Sequence, residues 1–126
     1  MSEIKEHKIL SDVRIAIWLN PDEVDEKFNS SIISAINTSI AELAQLGLKE
    51  LGEFTVQTGN ETWADFIGED YLYILSFTRN YIELNSRMLF DPPQSGALNS
   101  TLEEQIRKAI FNMQTAIELH ELKEDN

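Results

Sequence analysis

The chain has 126 residues, a length typical of one domain, and its 42% apolar and 25% charged residues are ordinary for a globular protein. It has no cysteine, which excludes disulfides and thiolate chemistry, and its net charge of −12 opposes non-specific binding to nucleic-acid phosphates. No apolar run is long enough to span a membrane and no signal peptide is visible, so we expect a single domain over residues 1–126 made in a reducing cytoplasm.

The first predicted helix follows a polar start, residues 1–8, which we expect to be flexible. Ser11 and Asp12 are suited to cap this helix, and Asn20 before Pro21 ends it, because a residue before proline avoids helical angles. Its apolar side carries Val13, Ile17 and Trp18.

A second, longer helix is predicted from about residue 25 to residue 46, after the acidic residues 22–26. Its apolar residues recur at spacings of three and four, which indicates one buried face: Phe28, Ile32, Ile33, Ile36, Ile40, Leu43 and Leu46. Gly47 is suited to end it, because glycine adopts a left-handed conformation at little cost.

Residues 48–68 form a long connection without helical periodicity, and connections of this length tend to be functional or partly disordered. Residues 54–56 could be a short extended piece, and residues 62–66 are typical of a single helical turn whose Trp63 and Phe66 pin the connection to the core. The surrounding stretch 42–70 is strongly acidic, which fits either a solvated loop or a surface meant to meet a basic partner or to repel DNA.

Two further helices are predicted on either side of Pro92 and Pro93, which force an elbow. The first, over residues 69–90, has a predicted buried side of Leu72, Leu75, Ile82 and Leu89 with Tyr71, Ile74 and Met88 beside it. The second starts at a capping box formed by Ser100 and Glu103 and runs to about residue 122, before a polar tail, 123–126, that we expect to be flexible.

These elements together predict an all-α fold. We expect a small bundle of about four helices, with a long irregular loop between the second and third long segments. Arg79, Glu83 and Arg87 form a stripe at spacings of four, which is either a solvated face or a bridge from the arginines to an acidic neighbour.

No chemical motif stands out. The histidines His7 and His120 lie at opposite ends of the sequence, and no phosphate loop, dinucleotide fingerprint, calcium loop or paired-carboxylate motif is present. We therefore predict that the chain is not an enzyme and that it has no catalytic residues, no metal site and no cofactor. The aromatic residues are expected mainly in the core, and otherwise at a protein interface.

Four segments in order resemble the head–tail connector proteins, also called adaptor or head-completion proteins, of tailed siphophages. The most specific are "INxxIAxLxQLG" at 36–47, "TWxDFxG" at 62–68 and "RMLFDPP" at 87–93, and the resemblance covers about residues 9–117. It implies a structural virion protein in the neck, not an enzyme. Family members form a homo-oligomeric ring, typically a dodecamer, that docks beneath the portal protein, extends the DNA channel and links the capsid to the next connector, stopper or tail component.

In this reading phage DNA passes through the ring without specific binding, and no membrane is involved. The candidate interface residues lie in the connection, on the charged stripe and on the last helix: Phe54, Val56, Trp63, Phe66, Arg79, Arg87, Ile117 and Leu119. The alternative, motivated by the net charge alone, is an acidic cytoplasmic binding module, a DNA mimic or a regulator of a basic partner.

Overall fold

The computed structural model describes residues 4–17 and 26–124, and this part of the chain contains five α-helices and no strand. The helices are α1 (Ile9–Ile17), α2 (Asn29–Glu42), α3 (Trp63–Phe66), α4 (Leu75–Phe90) and α5 (Gly96–Glu124). Short 3-10 helices cover Ile4–Glu6, Glu26–Phe28, Leu43–Leu46, Leu51–Glu53 and Glu69–Ile74. The predicted all-α fold is therefore confirmed. Trp18, the predicted stop at Asn20 and Pro21, and the acidic start at 22–25 lie outside the described residues.

Helix α4 is the centre of the bundle. It packs against α1, α2 and α5, whereas α2 and α5 hardly touch, so these two helices lie on different sides of α4. Their apolar faces share one core with residues of the connection, and its fully buried large side chains are Ile9, Val13, Ile32, Ile36, Ile40, Leu43, Val56, Trp63, Ile74, Ile82 and Met113.

Helix α2 matches the prediction closely. Its helical conformation continues through Leu43–Leu46 and ends at Gly47, whose φ of 95° is left-handed. The predicted apolar face is buried in the core at Ile32, Ile36, Ile40 and Leu43, and Ile33 and Leu46 are half-buried against it. Phe28, predicted on the same face, is exposed. The spacing rule works here because α2 keeps one helical period over its whole length.

The predicted cap of the first helix is wrong. Helix α1 begins at Ile9, two residues before Ser11, and Asp12 lies within it. Asp12 is buried and accepts hydrogen bonds from side chains of α3 and α4 instead of capping its own helix.

The predicted buried side of the third long segment is also wrong in part. Residues Glu69–Ile74 are 3-10 helix with about three residues per turn, and this changes the phase of the face that reaches the core. Leu72 and Leu89 are exposed, while Thr78 and Ser86 are buried with Ile74 and Ile82. The buried hydroxyls find partners, since Thr78 Oγ1 lies 3.6 Å from Met113 Sδ and Ser86 Oγ 3.5 Å from Ser39 Oγ.

The elbow at the prolines is confirmed, because α4 ends at Phe90 just before Pro92 and Pro93, and α5 packs back against it. Helix α5 begins at Gly96, however, so the predicted capping box at Ser100 is wrong. The hydroxyl of Ser95 accepts a hydrogen bond from the Leu98 amide at 3.4 Å and takes the capping role.

Residues 4–8 lie along the connection. The Trp63 amide donates to the His7 carbonyl at 3.1 Å, the Ile9 amide donates to the Glu61 carbonyl at 3.0 Å, and Lys8 pairs with Thr62 in an isolated bridge. The flexibility expected for residues 1–8 and 123–126 stays a prediction.

Candidate protein-interaction surface

The connection is built around one helical turn, α3, as the sequence predicts. Thr62 and Asp65 form a capping box, with the Asp65 amide 3.2 Å from Thr62 Oγ1 and the Thr62 amide 2.9 Å from Asp65 Oδ2. Trp63 is fully buried, and the ring of Phe66 packs edge-on against both Trp63 and Phe54. This aromatic cluster pins the connection to the bundle.

Two polar side chains fix the rest of the connection. The Asn37 side chain of α2 accepts a hydrogen bond from the Val56 amide at 2.8 Å and donates one to the Val56 carbonyl at 2.9 Å. It thus satisfies both backbone groups of Val56, as the backbone of a paired strand would. Glu61 accepts hydrogen bonds from the amides of residues 57, 58 and 59 at 2.8–3.1 Å. Partial burial disfavours ionisation and by itself would raise the pKa of Glu61, but the hydrogen bonds from these amides outweigh it and lower the pKa to about 2.

A second polar cluster joins α2 to α4. Tyr81 Oη and Asn85 Nδ2 each donate to Glu42 Oε2 at 2.8 Å, and Asn85 Nδ2 also lies 3.0 Å from Ser39 Oγ. Burial and the hydrogen bond to Glu42 raise the pKa of Tyr81, so the phenol stays protonated and keeps donating. The pair α2–α4 is therefore fixed by directional bonds as well as by apolar packing.

The structure separates the predicted interface residues into three groups. Val56, Trp63 and Phe66 lie in the core of the bundle, where they position the connection. Arg79 is half-buried and bridges to Asp12, as one of the two readings of the charged stripe predicts. Towards the surface lie half-buried Phe54 and Ile117 and exposed Arg87 and Leu119. An interface role for these eight residues stays a prediction.

The outer face of α5 carries large apolar side chains that the structure leaves in solvent. Phe111 is 67% exposed, Leu119 55% and Leu122 60%. With Thr115 they recur at spacings of four, four and three, so they form one stripe along the second half of the helix. Of these residues only Leu119 was predicted at an interface, although the position of the others off the predicted buried face is a usable signal.

The outer face of α2 is of the opposite kind, with small uncharged side chains. Ser31, Ser34 and Thr38 line an open cavity of about 380 Å³ with Leu89 and Phe90 of α4. Because α2 and α5 hardly touch, the small-residue face and the apolar stripe lie on separate parts of the surface. The chain thus presents two unlike surfaces.

A larger cavity of about 620 Å³ lies where α5 ends, beside Gly47 at the end of the α2 extension. Its lining includes four carboxylate residues, Glu69, Asp70, Glu121 and Glu124. The rings of Tyr73 and His120 stack there at 3.9 Å, and His120 Nε2 lies 3.0 Å from Glu124 Oε1.

The potential in this cavity is negative. Burial and the charges of Glu121 and Glu124 raise the pKa of Tyr73, and the carboxyl ends of two helices add partial negative charge. A positively charged partner segment would be favoured at this cavity over an acidic one.

Among residues 4–17 and 26–124 there is no group of three or more His, Asp or Glu side chains placed to hold a metal ion. Within the same ranges, no helix is long and apolar enough to cross a membrane. The two outer faces and the acidic cavity are the features that suit binding to other macromolecules.

A family model described as "Phage connector protein" matches residues 9–120 of the chain. The match covers α1 to the last turns of α5, including the connection and both outer faces. No curated protein and no solved structure matches the chain significantly.

Proposed function

The chain belongs to the phage connector protein family, and from this premise we propose that it is a non-enzymatic structural protein that forms a ring in the virion neck. The ring docks beneath the portal protein, extends the DNA channel and links the capsid to the next connector, stopper or tail component. The family match over residues 9–120 carries this proposal. The subunit is made in the host cytoplasm and acts in the virion.

The two outer faces support a closed ring. A ring needs a heterologous interface, in which one surface of a subunit meets a different surface of the next. The apolar stripe on α5 and the small-residue face on α2 lie on different sides of α4, and the residues that define them are uncharged. Large side chains such as Phe111 facing a small-residue groove would pack closely there. The family resemblance implies twelve copies.

The charge of the subunit suits a channel wall. At a net charge of −12 per chain, a ring concentrates negative potential around its axis, which repels the phosphates of passing DNA. DNA then moves through without specific binding. The acidic cavity at the end of α5 remains available for a basic segment of the portal or of a tail component.

Native mass spectrometry and cryo-electron microscopy of the full chain, alone and with the portal protein of the same phage, test this proposal. We expect a closed ring seated on the portal. Phe111→Ser should weaken assembly at least about tenfold, since it removes apolar area from the interface. Ile15→Ser, which changes an equally exposed apolar residue on α1, is the matched control and should assemble normally.

A chain that stays monomeric both alone and on the portal would overturn the proposal. The alternative function, an acidic module that occupies a basic partner, predicts that outcome together with salt-sensitive binding to a nucleic-acid-binding protein. A ring seated on the portal would count against the alternative.

A further inference from the structure

Two carboxylates share one guanidinium where α1, α3 and α4 meet. Arg79 Nε lies 3.2 Å from Asp12 Oδ2 and 3.4 Å from Glu83 Oε2. The side chains are largely shielded, with 9% of Asp12 and 17% of Glu83 exposed to solvent. One cation cannot neutralise two anions, so with His7 neutral the cluster carries an excess negative charge when both carboxyls are ionised. An uncompensated charge in such a place is costly, and binding a proton relieves it.

The excess proton belongs on Glu83. Asp12 Oδ2 is surrounded by donors, because Trp63 Nε1 lies 2.8 Å away and His7 Nδ1 3.2 Å away, in addition to Arg79. Glu83 has only the shared guanidinium as a partner within the described part of the chain. Burial raises the pKa of Glu83 to about 7, with Arg79 opposing and Asp12 reinforcing the rise.

The same cluster holds two segments against the bundle. Trp63 anchors the connection, and His7 anchors residues 4–8, and both converge on one oxygen of Asp12. The backbone bond from the Trp63 amide to the His7 carbonyl ties the two segments to each other. Arg79 bonds the same oxygen, so a change in the Arg79–Asp12 pair acts on the atom that both segments bind.

We propose that the cluster of Asp12, Arg79 and Glu83 is a proton-operated latch for residues 4–8 and α3. When Glu83 is protonated, Arg79 pairs with Asp12 alone, and residues 4–8 and α3 are held firmly. When Glu83 loses the proton, it competes for Arg79, and the segments loosen. The pKa of Glu83 is higher in the folded chain than its ordinary 4.5, so the stabilisation is complete below about 4.5 and is lost as pH rises through about 7.

Solution NMR on the full chain between pH 5 and 8.5 tests the latch. We expect the side-chain carboxyl carbon of Glu83 and the indole N–H of Trp63 to shift together with a midpoint near 7. Exchange of that indole proton with solvent, corrected for its intrinsic pH dependence, should become about tenfold faster at the alkaline end. A tenfold change corresponds to a difference of one pKa unit between the closed and the locally open state.

Three variants locate the proton. Glu83→Gln, a neutral mimic of the protonated state, should abolish the Trp63 titration and keep exchange slow at all pH values. His7→Gln should leave the midpoint in place. Glu104→Gln breaks the exposed pair of Glu104 with Arg107, which is a matched loss of one carboxylate, and should change neither signal.

The proposal is overturned if the Glu83 carboxyl carbon shows no midpoint above pH 6 in the unaltered protein. It is equally overturned if the Trp63 signal titrates unchanged in Glu83→Gln, or disappears in His7→Gln, since His7 would then be the proton acceptor. The direct carboxyl measurement needs no variant and remains decisive if one variant fails to fold.

Discussion

The connection, residues 48–68, and helix α5 satisfy their backbone groups in opposite ways. In the connection, side chains of Asn37, Glu61 and Thr62 bind backbone amides, and Trp63 is buried completely. Helix α5 supplies its own backbone hydrogen bonds, and Phe111 on its outer face is 67% exposed. Regular backbone can therefore persist with little burial, whereas irregular backbone in this protein depends on specific side chains.

The largest effect should come from the anchor of the connection. We expect Trp63→Ala to lower the free energy of unfolding by about 3–5 kcal/mol, because it opens a cavity and removes a donor from buried Asp12. Phe111→Ala on α5 is the matched aromatic control and should stay within about 0.5 kcal/mol of the unaltered protein when both are dilute enough to be monomeric. Urea unfolding followed by circular dichroism measures both. Equal losses would contradict the contrast between the two regions.

The next largest effect is expected at Asn37. The variant Asn37→Ala leaves the Val56 amide and carbonyl without their partner, which should cost about 2 kcal/mol. Hydrogen exchange at the Val56 amide should accelerate in proportion. Asn112→Ala, on the exposed side of α5, is the control and should be near neutral. Unchanged exchange at Val56 would mean that the segment is held by packing alone.

Glu61 should give the connection a distinct pH dependence. Because its pKa in the folded chain is about 2, below the ordinary 4.5, its contribution is present above about 4.5 and is lost as pH falls through 2. Glu61→Gln should lower the free energy of unfolding by about 1 kcal/mol at neutral pH, a modest value since the site is partly exposed. It should also reduce the loss of stability at acidic pH. Thermal unfolding at pH 2–6 measures this.

Glu53→Gln is the control for that experiment. It removes an exposed carboxylate from the same connection and should leave the loss of stability at acidic pH unchanged. A parallel change in both variants would point to net charge instead of the hydrogen bonds of Glu61.

The smallest effect should come from the start of α5. Ser95→Ala removes the capping hydroxyl and should cost about 0.5–1 kcal/mol, whereas Ser100→Ala within the helix should cost close to nothing. Thermal unfolding of the two variants side by side distinguishes the cap of the structure from the cap predicted by the sequence. The reverse order of effects would restore the predicted start.

Helix α2, the elbow and α3 could be predicted because each depends on local signals: one constant period, two prolines and a capping box. The start of α5 could not, because Ser95 and Ser100 are both acceptable caps and only packing against α4 decides between them. The buried face of α4 was misjudged because the preceding 3-10 turns shift the phase, and because Thr78 and Ser86 are buried against partners distant in sequence.

The candidate surfaces were less accessible to sequence reasoning than the fold. Nothing local marks Asp12 as the buried acceptor for Trp63 and Arg79, since these residues are 51 and 67 positions away. The acidic cavity joins residues of three separate segments, so its shape exists only after folding. The exposed stripe on α5 did leave a signal, since Phe111 lies off the predicted apolar face, but only its Leu119 was predicted at an interface.

The 29 residues of α5 make it a lever. At 1.5 Å per residue it is roughly 43 Å long, so a tilt of about 5° at one end displaces the other by roughly 4 Å. The stack of Tyr73 on His120 holds the carboxyl end of the helix, and the elbow after Phe90 is the pivot at its amino end. A small change of angle at the elbow would therefore be carried, magnified by the length of the helix, to its acidic end.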